Sequence, residues 1–377
     1  MTTIKPLNTE QDIKLTRTLL YEAIPLDNLI VSGTYGDQNI KNYSHGMFQS
    51  VYDYPYLSSS ANHIFDITVG YNSTSQLYGL TVETVGQKSK KKNIYNQLAQ
   101  ILMGYDTVGS IQNFDQDGDL IGTGTKINSG FIIPFSRLLV KDEIKKETFE
   151  MTLGIEDDYY SPFSNTITIS DFSASTEYRI NSPAGEYGIL YATASSNGIL
   201  DITSSNLVTV NDRQLWYAGL IYYQAGIVIL SSSVFATACA GGGGIIDGSG
   251  IGATNSVLFT PNGNLIDAAL TGSSISASAD GLRNRMGDIR FNNTTELNST
   301  VYFCRANHND FNYSSNPTYL SGSRMVVKSS YNDAPVSYIT SVGLYNDNNE
   351  LLAVAKLSEP LKKTPSNEYT LRVRLDY

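Results

Sequence analysis

The residues with the clearest chemical potential are three carboxylates at alternate positions, in Asp115-Gln116-Asp117-Gly118-Asp119. Calcium is a hard cation that prefers oxygen ligands, and loops that bind it supply acids at every second position. In the register of a helix–loop–helix calcium site starting at Asp115, position six is Leu120 rather than glycine. Position twelve is Lys126 rather than a bidentate glutamate. No helix pair is evident on the two sides. The preferred reading is a solvated acidic turn, with a bound cation as the alternative, and no metal ligand or cofactor is assigned.

Nucleophilic chemistry needs a base, and the imidazoles are His45, His63 and His308. None sits in a catalytic motif, and His308 reads as a hydrogen-bonding loop residue. Ser249, in Asp247-Gly248-Ser249-Gly250, lacks the first glycine of a nucleophile elbow. Gly248-Ser249-Gly250-Ile251-Gly252 lacks the spacing of a dinucleotide loop. Asp157-Asp158 beside Tyr159-Tyr160 is the pair that could serve glycoside hydrolysis, which needs two facing carboxylates. A surface loop explains it better. Cys239 and Cys304 have no zinc spacing, and two cysteines make no disulfide scaffold, so a reducing compartment is expected. No catalytic residue is assigned, and the chain is not expected to be an enzyme.

The elements that would carry these residues are mostly strands. Residues 63–72, 131–135, 149–153, 166–169, 187–191, 207–210 and 215–230 are apolar or β-branched runs divided by Gly, Asn and Ser turns. Residues 138–140 look strand-like, and 78–82 continue the 63–72 strand. Residues 12–22 suggest a short helix, and Leu29-Ile30-Val31 looks like a strand. The clear amphipathic helix is 91–103, where Ile94, Leu98, Ile101 and Leu102 fall on one face, widened by Tyr95 and Ala99. Ser89 is its candidate N-cap and Gly104 its C-terminal glycine. The basic run Lys88, Lys90, Lys91, Lys92 reads as a solvated helix start. Residues 241–244, four glycines, read as a flexible loop or hinge, and a further helix is expected near 265–270. Residues 273–279 are low in complexity. Strands return at 300–306, 323–328, 336–344, 351–357 and 368–375, with Asn346-Asp347-Asn348-Asn349 as a hairpin turn.

Composition narrows the function classes. In 377 residues only 16% are charged, while 26 are Tyr. Solvation by Ser, Thr and Asn, with amphipathic aromatics, suits β-rich chains and surfaces that meet other subunits. A net charge of −10 opposes nucleic-acid binding, which depends on neutralising phosphates. The first twenty residues lack the apolar core of a secretory signal, and residues 220–240 are interrupted by Gln224 and Ser231-Ser232-Ser233, so no membrane span is expected.

Five segments carry a family resemblance. FNYSSNPTY at 311–319, YITSVGLYND at 338–347 and ELLAVAKLS at 350–358 resemble structural proteins of the virions of large contractile-tailed bacteriophages. FSRLLVKDEIKK at 135–146 and YRINSPAGEY at 178–187 are similar to the same family. The likeness spans about two thirds of the chain and leaves residues 230–296 without a counterpart. It implies a tail, baseplate or neck subunit in the virion, assembled in the bacterial cytoplasm. Its partners would be other virion proteins and copies of itself, three- or six-fold related. It supplies no catalytic residues.

The fold expected is mainly β with minor α, in antiparallel sheets and several domains. Residues 1–153 would form an α+β body with an N-terminal arm, 154–299 a β-rich insertion, and 300–377 antiparallel strands packing back on the body. The function expected is a structural subunit of the tail or baseplate, with a neck connector as the rival location. A receptor- or carbohydrate-binding module would instead use Trp216, Tyr217, Tyr222 and Tyr223 to line a groove, although strand packing is their simpler role. A glycan hydrolase is the least favoured reading.

Overall fold

Runs such as Phe131-Ile132-Ile133 and Val228-Ile229-Leu230 offer no polar face, so strands built on them must be covered on both sides. The computed structural model shows this arrangement in a twelve-stranded antiparallel sheet with apolar layers on each face. It describes residues 4–21, 37–79, 85–120, 124–155, 161–194, 207–234, 274–314, 316–322, 324–326, 330 and 332–376. Among them, no helix is long and apolar enough to cross a membrane.

The chain divides into two units, residues 1–20 with 296–377, and residues 21–295. The expected boundary at 153/154 falls inside a strand, because residues on both sides pair with the same neighbour. The first strand, β1, is Ile13–Tyr21. The sheet of the larger unit draws on β2 (Ile40–Asn42), β3 (Gln49–Tyr52), β4 (His63–Tyr71) and β5 (Ser129–Pro134). After the short β6 (Glu143–Ile144) come β7 (Glu150–Gly154), β8 (Thr166–Ser170), β9 (Arg179–Ser182) and β10 (Gly185–Ala194). Then follow β11 (Leu207–Val210), β12 (Arg213–Tyr222), β13 (Ile227–Ser231) and β14 (Met286–Arg290). Their spatial order is β14-β7-β8-β10-β12-β13-β5-β4-β3-β2, with β9 beside β10 and β11 beside β12.

Alternation sorts the side chains. Phe131, Ile133, Leu190, Val228 and Leu230 join one layer, and Ile132, Ile189, Tyr222 and Ile229 the other. Phe135, Phe149 and Phe291 add an aromatic cluster to the first layer, with ring centroids 5.1 to 6.3 Å apart. The second layer is roofed by α1, which spans Val85–Leu102. It starts earlier than the periodicity predicts, so Ser89 lies inside the helix and not at its cap. Gly104 does end it, at φ +78°, with its N–H donating to the Ala99 carbonyl at 3.1 Å. The buried stripe runs through Lys91, Ile94, Tyr95, Ala99 and Leu102. Ile101, expected on that face, is exposed, and Lys91, expected in solvent, is buried. The face is rotated toward Tyr95 because the helix rests on β4 at Gly70. A Cβ there would lie 3.0 Å from the Tyr95 Cβ and 3.1 Å from the Lys91 carbonyl.

Four local expectations are corrected. Within the helix expected at 12–22, residues 13–21 form β1 instead. Residues 137–140 form a single helical turn, and residues 76–79 a 3-10 turn where the 63–72 strand was expected to continue. The low-complexity stretch opens a second long helix, Ile275–Arg285, whose Ser274 side chain accepts the Ala277 N–H at 3.2 Å. The expected strand at 29–31, the glycine run and the helix near 265–270 lie outside the described residues.

The smaller unit contains most of β1 and of β15 (Asn293–Ala306), with β16 (Leu320–Ser321) and β17 (Arg324–Met325). It also holds β18 (Ser337–Tyr345), β19 (Leu351–Lys363) and β20 (Tyr369–Asp376). β15 lies between β1 and β20. The Arg305 guanidinium meets Asp12 at 2.8 Å, and the Phe303 N–H donates to the Asp12 carbonyl at 2.8 Å. β18 and β19 form a separate two-stranded ribbon. Its turn is tied by Asn346, whose Oδ1 accepts the N–H groups of Asn348 at 3.0 Å and Glu350 at 2.8 Å.

One buried carboxylate knits the larger unit. Asp171 is fully buried and accepts from the backbone N–H groups of Glu147 (2.9 Å) and Phe149 (3.0 Å) and from the Tyr223 hydroxyl (3.0 Å). Burial pushes its carboxyl up to about 6 against those hydrogen bonds. A carboxyl raised by folding contributes its stability fully below the unfolded value of about 3.9 and loses it as pH rises through the folded value. Denaturant titrations of wild type and Asp171→Asn should therefore diverge with pH. The wild-type advantage should shrink between about pH 4 and 6, by up to about 1.4 kcal/mol per pH unit. A pH-independent difference would refute this role. Separately, Gly70→Ala should cost roughly 1–3 kcal/mol in the same assay, because α1 must lift off β4; no loss would mean the helix moves freely.

Candidate functional site

The acidic loop lies on the helix-roofed side of the sheet, between two paired legs at 114–116 and 125–127. Phe114 and Ile127 are buried at its base, and the Ile127 N–H donates to the Phe114 carbonyl at 2.9 Å. Tyr95 of α1 holds both sides. Its hydroxyl donates to the Ile127 carbonyl at 2.7 Å and accepts the Phe114 N–H at 3.3 Å, while its ring meets Phe114 edge-on at 5.2 Å. Burial raises the Tyr95 hydroxyl well above its ordinary value, which keeps it neutral as donor and acceptor at once.

Above that base the three carboxylates converge. One oxygen each from Asp115, Asp117 and Asp119 lies within 4.8 Å of the others. Asp115 is buried, Asp117 half-buried and Asp119 exposed. Gly118 turns at φ +72°, and Leu120 takes φ +61°, a left-handed conformation that glycine usually supplies. The turn is braced from β9 and β10. The Arg179 guanidinium donates to the Asp117 carbonyl at 3.1 Å, and the Asn181 amide to the Gly118 carbonyl at 3.0 Å. The Tyr187 hydroxyl reaches the Gly118 carbonyl at 3.4 Å. These bracing residues lie about sixty positions away and carry no local signal in the sequence.

The buried carboxylate of the three is paired from inside the chain. The Lys126 ammonium sits 2.6 Å from the Asp115 carboxylate. Burial raises the Asp115 carboxyl, and Lys126 pulls it back down. Position twelve, where a calcium loop carries its bidentate acid, thus holds a tethered cation instead. The arrangement is an acidic turn compensated by lysine. Removing one partner of such a pair strands the other charge in a buried place. Lys126→Gln should destabilise the chain by roughly 2–4 kcal/mol in denaturant unfolding, with Lys126→Arg retaining most of the stability. Millimolar calcium should leave the wild-type Tm unmoved; a calcium-dependent rise would show that the loop takes an ion after all.

The other candidates do not assemble into a reactive site among the described residues. His63 Nε2 meets Asp66 Oδ1 at 2.8 Å, and Ser50 Oγ donates to the same oxygen at 2.5 Å. Asp66 stands between the other two, so the imidazole cannot take the serine proton directly. The Asp66 hydrogen bond raises the His63 pKa against a smaller effect of burial. His45 stacks on Tyr43 with ring centroids 5.1 Å apart, and His308 pairs with exposed Glu368 at 2.8 Å. Among the lysines of the basic run, Lys88 and Lys92 lie over the Tyr78 ring, and Lys90 donates to the His45 carbonyl. Cys304 is half-buried, and burial raises its thiol. Asp157, Asp158, Tyr159, Tyr160, Cys239 and Ser249 lie outside the described residues.

Strand packing, the simpler role of the four groove candidates, holds for three of them. Trp216, Tyr222 and Tyr223 are buried in the layers of the sheet, and Tyr217 alone of the four is half-exposed, tilted against Tyr191 at 5.6 Å. The apolar surface lies instead on the β18–β19 ribbon. Tyr338, Tyr345, Leu351, Leu352 and Val354 are all exposed, Leu352 by 67%. Tyr345 and Leu351 lie over Gly343, where a Cβ would come within 2.9 Å of the tyrosine ring, and Val354 pairs across from that glycine. Compared with family models, curated proteins and solved structures, the chain matches none.

Proposed function

We propose that this chain is a structural subunit of a bacteriophage particle, built into the tail or baseplate through contacts with copies of itself and with other virion proteins. The observation that carries the reading is the ribbon's exposed cluster of Tyr345, Leu351, Leu352 and Val354. Large apolar side chains gathered on one projection mark a contact surface, and aromatic residues are the side chains that interfaces favour. The resemblance at 338–347 and 350–358 falls on this same ribbon. A chain of few charges, with the buried acid of its acidic loop paired to Lys126, fits a part that assembles and does no chemistry.

Quantitative mass spectrometry of fractionated particles tests this. The chain should be recovered in the tail fraction at a fixed multiple of three or six copies. The double variant Leu352→Asp, Val354→Asp should fold normally by circular dichroism yet incorporate at least tenfold less. Absence of the wild-type chain from purified particles would overturn the proposal.

A further inference from the structure

The ribbon has two edges of opposite character. β19 carries Lys356, Glu359, Pro360 and Lys362 along its length, all exposed. Charges and proline on an edge are the usual devices that stop another strand from adding to it. β18 has none of them. Ser337-Tyr338-Ile339-Thr340-Ser341-Val342-Gly343-Leu344-Tyr345 contains no charged residue and no proline. Among the described residues β18 pairs with β19 alone, and no other described strand takes up the N–H and C=O groups of its outer edge. A two-stranded ribbon is marginal in water and gains most from a third strand.

We infer that β18 is the pairing edge for a second copy of this chain, adding β18 to β18 antiparallel across a two-fold axis. An antiparallel edge that meets its own copy needs no other surface, which is the property of an isologous contact. Charge sets the direction. The tip of the ribbon carries Asp347 and Glu350, and its base carries Lys362. Antiparallel addition lays each acidic tip toward the partner's basic base, whereas parallel addition would put acid beside acid. The joined ribbons form a four-stranded sheet in which both β18 strands are interior and both guarded β19 strands are the new edges. Tyr338 and Tyr345, exposed in the single chain, then gain cross-strand neighbours. A second copy as occupant rests on the assembly reading; the unguarded edge does not.

Sedimentation equilibrium of the full chain, with hydrogen–deuterium exchange at high and low protein concentration, tests the inference. Wild type should dimerise, and the amides of β18 should become protected in the dimer. Thr340→Lys puts a charge on the unguarded strand at an exposed position and should weaken dimerisation roughly tenfold or more. Ser358→Lys, on the guarded strand, should leave it unchanged. A monomeric wild type, a dimer with unprotected β18, or equal dimerisation of Thr340→Lys would each overturn the inference. So would particle cross-links running from β18 only to a different protein. A chain found in particles but monomeric and unprotected at β18 would sink this pairing alone. A chain that dimerises through β18 but is missing from particles would sink the particle reading alone.

Discussion

The larger unit depends on how closely α1 approaches β4. With no side chain at Gly70, the helix backbone at Lys91 and Tyr95 comes to within contact distance of the strand. That approach fixes the height of Tyr95, and Tyr95 has a single hydroxyl with two duties. It donates to the Ile127 carbonyl and accepts from the Phe114 N–H, so both legs of the acidic excursion are tied to one helical residue. Raising the helix would leave two buried backbone groups without partners, each costing about 1–3 kcal/mol. Gly70 pairs with Gly130 across β4 and β5, where a Cβ would come within 2.4 Å of the Leu230 carbonyl. The sheet is therefore thinned on adjacent strands, once for the helix and once for a neighbouring strand.

The acidic loop keeps the three converging acids of a cation-binding turn and pairs the buried one with a lysine. Leu120 adopts the left-handed conformation that calcium loops give to glycine, and the three acids still converge. Braces from Arg179, Asn181 and Tyr187 hold the turn from behind. The positive charge comes from Lys126, at the position of the missing glutamate. An ammonium on the same chain meets Asp115 at every calcium concentration.

The two units solve the problem of strand edges differently. The sheet of the larger unit is covered on both faces, and its buried Asp171 is satisfied internally. The ribbon of the smaller unit is guarded on one side only. Natural sheets blunt edges that must stay free. The ribbon's other strand runs nine residues without a single charge or proline, so it lacks those devices.

The antiparallel β character, the helix around Tyr95, the glycine that ends it and the Asn346 turn were legible in the sequence. Each depends on contacts within a few residues: a two-residue or 3.6-residue period, a left-handed glycine, a side chain folding back on its own backbone. What pairs over long distances was not legible. Residues 13–21 look helical in isolation and are a strand because β15, nearly three hundred residues later, offers them an edge. The Ile275–Arg285 helix hides in a run of Ser, Ala and Gly, since packing and a Ser274 cap make it helical and not its own propensity. Trp216, Tyr222 and Tyr223 could not be told from groove residues until the layers above and below them were known. Lys126 was visible as a mismatch in a calcium register, but only the folded chain puts its ammonium on Asp115. Spacing along the chain determines which local structures can form; burial and pairing between distant residues decide which of them do, because those terms vanish until the chain is folded.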